Sequence, residues 1–363
     1  MRRQFVKICA AVLAFGCSSL GGAGVTPETP PAASQAPASP WTVKTSYVLD
    51  LWLHGYAMVQ RDTAQVPYFR RGYRDLIAAA KSNRRITTQL DANADQLQRG
   101  LAANPALVFG QFLALQERTW EEMQSDIAAF LEANGDPAAA RDSTMRPAIA
   151  AYAQTYRSSA DREWLRLFAR SLADEHSRFY QQYWTDRQQA LRPVLASVDS
   201  LFTHRYLAML RGYLNNSQLE RGEMVLSLPL DGEGRTISTA NQHSVSVVFP
   251  ASVDSSMEAI YTFVHEVAGT ATGLAVADNT TPTEKQRGIA AQYESPAAVR
   301  GGAMLLRRTI PELVTGYERY YLRAARARST GSDVEGEFVR TFPLSPTMLD
   351  AVDKQITRLL STI

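Results

Sequence analysis

The sequence predicts a mainly α fold: a multi-helical body with a small antiparallel β-hairpin or sheet placed before a helix that carries His265 and Glu266. Two observations predict it. From Trp41 to about Asn215 apolar residues recur at helical spacing, and after Gly222 two short β-branched or apolar runs break that rhythm. A chain of 363 residues that is 45% hydrophobic, with Gly and Pro at ordinary levels, can bury one large core or two closely packed lobes.

Before the body stands a leader. Arg2, Arg3 and Lys7 form a cationic head, Ile8 to Phe15 a short apolar run, and Gly16 and Cys17 a small-residue end, the three parts of a signal peptide over residues 1–17. The apolar run is far below the roughly 20 residues a membrane-spanning helix needs. Cys17, between Ala14-Phe15-Gly16 and Ser18-Ser19, resembles the lipobox of bacterial lipoproteins, in which the cysteine is acylated. Ordinary cleavage after Gly16 or Gly24 is the alternative. Residues 18–40 are rich in Pro, Ala and Ser and predict a disordered tether. The expectation is an exported protein of the cell envelope or periplasm, lipid-anchored to a membrane through Cys17 or secreted.

Both cysteines, Cys9 and Cys17, lie in the leader, so the body holds no disulfide. Removing Arg2, Arg3 and Lys7 from 38 basic residues leaves 35 against 36 acidic ones, a near-neutral body without the basic footprint of a nucleic-acid binder.

Residues 41–190 predict a helical lobe. Its stripes include Val48, Leu51, Trp52 and Tyr56, then Phe112, Leu113, Trp120 and Met123, then Trp164, Leu167, Phe168 and Leu172. Tyr180, Tyr183 and Trp184 read as core packing, and Asp174-Glu175-His176 as a solvated helix face. In the second lobe, 191–363, strands Met224–Leu228 and Val245–Phe249 flank a turn at Asp231-Gly232-Glu233-Gly234 and predict an antiparallel pair. A helix then starts at Ser255, with Glu258 completing a capping box. Ser295-Pro296 and Ser345-Pro346 predict two further starts, and helices near 296–308, 312–328 and 346–361 complete the chain.

Chemistry centres on Phe263-Val264-His265-Glu266-Val267-Ala268-Gly269. On a helix, His265, Glu266 and Gly269 share the face away from the apolar stripe, just after a strand whose edge could pair with an extended peptide. This segment resembles the HExxH zinc peptidases, and the element order from about Arg192 to Glu318 is similar to that of the gluzincin metallopeptidases. The resemblance implies a gluzincin-like α+β lobe, His265 as a metal ligand and Glu266 as the catalytic group that activates a zinc-bound water. It also implies losses. Gly269 stands where the second histidine belongs, and Arg300, in Arg300-Gly301-Gly302-Ala303, where the ligand glutamate belongs.

Two consequences are open. Arg300 could replace the metal's charge by pairing with Glu266 across the cleft, or Asp278, Glu284 or Glu294 could supply ligands to a rearranged zinc site. Gly269 and Gly273 could let another helix approach closely. Tyr317, Tyr320 and Tyr321 could line the cleft or pack. His54, His176, His204 and His243 show no paired ligand spacing, and there is no nucleophile elbow, P-loop or dinucleotide fingerprint. The expected role is non-catalytic binding of extended peptides, or scaffolding, with no cofactor. The alternatives are an active zinc-dependent peptidase with unorthodox ligands and a helical lipoprotein unrelated to peptidases.

Overall fold

Strand β1 (Trp41–Thr45) begins a computed structural model that describes residues 39–238, 243–327 and 333–361. The leader, Cys17 and the tether to residue 38 lie outside the described residues. Helices α1 (Tyr47–Val59), α2 (Tyr73–Arg84) and α3 (Gln89–Ala103) come next, then a 3-10 stretch (Pro105–Gln116), α4 (Trp120–Glu132) and α5 (Arg146–Thr155). α6 (Ser159–Glu175), α7 (Gln181–Leu201) and α8 (Leu207–Asn216) run on from one another through π turns at His176–Tyr180 and Phe202–Tyr206. The sheet strands β2 (Gly222–Ser227), β3 (Arg235–Ser238) and β4 (His243–Val248) precede α9 (Met257–Asp278) and α10 (Pro282–Gln286). α11 (Ile289–Thr309), α12 (Val314–Ala324), α13 (Val334–Thr341) and α14 (Pro346–Ser361) complete a mainly helical fold with a small mixed sheet.

The predicted antiparallel pairing of the two apolar runs is corrected. The strand order is β1-β2-β4-β3, with β2 parallel to β4 (Met224 opposite Val245) and only β3 antiparallel, to β4. The pattern missed β1, whose residues Trp41–Thr45 stand at the start of the stretch read as helical, and β3, where Arg235 and Ser238 are exposed and there is no apolar run. One extra strand between two others reverses their relative direction, so the hairpin is β3 to β4.

The sheet separates two cores, which explains the continuous apolar run in β2. Met224 and Leu226 face the core shared with α7 to α9 and α11 to α14, while Val225 faces the core of α1 to α7. In the first, Trp41 and Phe202 pack edge-on to Phe263, with ring centres 5.2 and 4.8 Å away. In the second, Trp52 packs edge-on to Phe168 at 4.9 Å.

Three helix-start readings meet the structure differently. Ser345 Oγ accepts the Met348 N–H at 3.2 Å and caps α14 as predicted. α9 starts two residues past Ser255; the reciprocal box is Ser252 with Ser255 on a preceding 3-10 turn, and Glu258 pairs with Arg323 at 2.5 Å instead. α11 starts at Ile289 after Gly288 (φ +71°), so Pro296 sits inside it. Ser295 is not a cap there, and its hydroxyl is used elsewhere.

Glu175 overturns the solvated-face reading. It is fully buried, and its carboxylate accepts from His54 Nε2 at 2.9 Å, Lys81 Nζ at 2.8 Å and the Thr88 hydroxyl. Among the described residues, no helix is long and apolar enough to cross a membrane.

Candidate functional site

α9 brings His265 and Glu266 to the floor of a cleft, and the loop between β2 and β3 brings a third group that the sequence reading passed over, Glu233. The loop is anchored before its side chain is aimed. Tyr320 and Tyr321 donate their hydroxyls to the carbonyls of Asp231 (3.2 Å) and Gly232 (3.1 Å), and the Asp231 and Glu233 amides donate to Tyr68 O and Pro67 O at 2.8 and 3.2 Å. Gly234 is required by space, since a Cβ there would stand 1.9 Å from the Ser246 carbonyl oxygen. The loop can therefore lie flat on β4 and α9 only with glycine at that point.

So held, Glu233 places Oε2 3.1 Å from His265 Nε2, and its Oε1 accepts the Ser295 hydroxyl at 2.7 Å. Glu266 Oε1 accepts the Gly234 N–H at 2.7 Å and stands 3.6 Å from the same His265 nitrogen. His265 is 2% exposed, its ring centre lies 5.2 Å from that of Tyr321, and its Nδ1 has no hydrogen-bond partner. The donor atoms of Glu233, His265 and Glu266 lie within 4.8 Å of one another, so these residues could hold a metal ion.

Burial and mutual charge set the electrostatics. For Glu233, burial pushes the carboxyl up, but the charge and hydrogen bond of His265 outweigh it and hold it below the usual range. For His265, burial opposes the charge, but Glu233 and then Glu266 raise it. Glu266 is pushed up to about 7, by burial first and then by Glu233, with His265 pulling the other way. These shifts favour charge on His265 and Glu233 and disfavour it on Glu266, the second carboxyl of the cluster. Such a group can pass a proton, accept a donor from a ligand or bind a cation.

The cleft over this cluster has a volume of about 490 Å³. Gly269, predicted at the site, does line it, as do Arg235, Thr236 and Glu294. A Cβ on Gly269 would meet only Ala298 Cβ, at 3.7 Å, and one on Gly273 nothing within 4 Å, so these glycines leave open space and do not serve close helix packing. Arg300 is corrected. Its Nη1 donates to Phe342 O at 3.4 Å and its guanidinium stands 5.9 Å from the Phe338 ring, while the ion-pair partner of Glu266 among the described residues is His265. Helix phase is the cause: five residues beyond Ser295, Arg300 projects about 140° away from it. Among the described residues, the cation that lines the cleft is Arg235, on β3.

Of the alternative ligands, Glu294 lines the cleft, Glu284 caps α10 through Thr281, and Asp278 ends α9 away from the cleft lining. Tyr317, Tyr320 and Tyr321 are buried braces and not part of the lining. The signal for Glu233 was present as a carboxylate between two glycines in Asp231-Gly232-Glu233-Gly234, read only as a turn. No protein family, curated protein or solved structure matches the chain.

Proposed function

We propose that this is an exported envelope protein, anchored through Cys17, whose cleft binds extended peptide segments without cleaving them. The observation that carries the reading is the position of β3. It is an edge strand of the sheet, and Arg235 and Thr236 at its start border the cleft beside His265 and Glu266. An edge strand beside a polar cleft suits a ligand that adds backbone hydrogen bonds to the sheet and sends alternate side chains inward. Export rests on the leader and the Pro/Ala/Ser tether. Absence of cleavage rests on Gly269, which offers no second imidazole, and on Glu266, which already accepts the Gly234 N–H.

The test is fluorescence anisotropy of labelled unstructured peptides with the mature chain, followed by mass spectrometry of the mixture. Binding without new fragments is expected, weakened at least tenfold by Gly269→Phe, which fills the cleft from a position with room for a side chain. Equal affinity in that variant sinks the reading. The clustering of three donor atoms favours a second reading, an active zinc peptidase with unorthodox ligands. Fragments that appear with zinc and disappear in Glu266→Gln would establish it.

A further inference from the structure

We infer that Glu233, His265 and Glu266 form a binding site for one divalent first-row cation, zinc above all, in which Glu266 is a ligand and not a base. Bonds of about 2.0–2.2 Å from such an ion to imidazole nitrogen and carboxylate oxygen set neighbouring donors of a tetrahedron roughly 3.4 Å apart. The separations from His265 Nε2, 3.1 Å to Glu233 and 3.6 Å to Glu266, bracket that spacing.

Hydrogen bonding alone leaves the arrangement unexplained. One imidazole N–H serves Glu233, while Glu266 stands at the same nitrogen with no hydrogen bond to it. Two partly buried carboxylates converge on His265, and a divalent cation at that point would take the place of the imidazole proton and balance both charges. The outer contacts are those of a metal site. Ser295 donates to the far oxygen of Glu233 and the Gly234 amide to Glu266, each fixing a ligand carboxylate. Nδ1 of the buried His265 has no hydrogen-bond partner, while Nε2 is the nitrogen that faces both carboxylates. Three protein donors leave a fourth position facing the cleft for water or a ligand carbonyl. With Glu266 in the shell, the glutamate that would serve as general base is itself a ligand, which agrees with binding and not hydrolysis.

The test is zinc titration of the purified mature chain by calorimetry, without peptide, so its failure is separable from that of the peptide reading. One ion per chain is expected, with Glu233→Gln and Glu266→Gln each weakening binding at least tenfold and Asp278→Asn, away from the cleft, leaving it unchanged. Cobalt added to the unmutated chain should give the intense visible bands of a four-coordinate ion, a readout that needs no variant to fold. Zinc binding that is absent, or that survives Glu266→Gln intact, overturns the inference, as does a weak six-coordinate cobalt spectrum.

Discussion

Two buried histidine–carboxylate clusters, one in each core, are built alike and balanced differently. In the helical core, His54 Nε2 donates to Glu175 and its Nδ1 faces the Tyr73 hydroxyl at 3.1 Å, so both nitrogens are partnered, and burial disfavours charge on the ring. Lys81 supplies the counter-charge, bonded also to Thr88 at 3.1 Å and Asp91 at 2.7 Å. In the cleft cluster two carboxylates share one imidazole, no lysine enters, and Nδ1 has no partner. A closed network of this first kind holds helices together. The second kind, short of positive charge and open to a cleft, is arranged for something that arrives from outside.

The sharpest way to break this contrast is Glu175→Ala. Removing the carboxylate takes from buried His54 the acceptor of its Nε2–H and leaves Lys81 with only Thr88 and Asp91, and should cost about 3–5 kcal/mol of stability, read by urea denaturation. A loss near that of an exposed pair, below about 1 kcal/mol, would show that the network is not what holds α1, α2 and α6 together. Next in size is the effect of acid. Burial pushes Glu175 up, but His54 and Lys81 outweigh it and set its pKa at about 2, below the 4.5 of a free glutamate. A depressed carboxyl stabilises the fold above its unfolded value, and that contribution, roughly 3 kcal/mol, is lost as pH falls from about 4.5 toward 2. His54, lowered by burial, adds to the slope from about 6.5 downward, because only the unfolded chain takes up its proton there. Denaturation midpoints from pH 7 to 3 should fall steeply in the natural chain and less so in Glu175→Gln.

Much of this architecture was legible. Amphipathic helices announce themselves because each buries one stripe, and the central strand because it is buried on both faces. β1 and β3 were not legible: β1 is five residues with alternating exposure just ahead of the helical rhythm, and β3 is a half-exposed edge. Missing β3 also inverted the pairing of its neighbours. In the site, His265 and Glu266 could be found because adjacent residues on one helix share a neighbourhood. Glu233 could not, since it is carried 32 residues along the chain to His265 by a loop whose path depends on Tyr320, Tyr321 and Gly234. Arg300 failed for the opposite reason: motif spacing assigned it a role that helix phase denies. The charged appearance of Asp174-Glu175-His176 misled because the partners of Glu175, Lys81 on α2 and Thr88 at the cap of α3, lie far from it along the chain.

The remaining predictions ask whether the cleft cluster owes its geometry to its backbone more than to its charges. In Gly234→Ala the new methyl meets the Ser246 carbonyl at 1.9 Å, a backbone atom that cannot rotate aside, so the loop must lift. The expected cost is about 1–3 kcal/mol, as for other overpacked sites, together with loss of the Gly234 hydrogen bond to Glu266. The smallest effect has the opposite sign. Gly273 lies mid-helix on the same face of α9, and a methyl there meets nothing within 4 Å. Gly273→Ala should therefore stabilise the chain by up to about 1 kcal/mol through helix propensity alone, with the denaturation midpoint rising and its slope unchanged. The two substitutions add one carbon each, in residues that line one cleft. If both destabilise, Gly273 is packed against something and the open groove along α9 is not there; if Gly234→Ala is harmless, the loop is free to move and Glu233 is not held on His265.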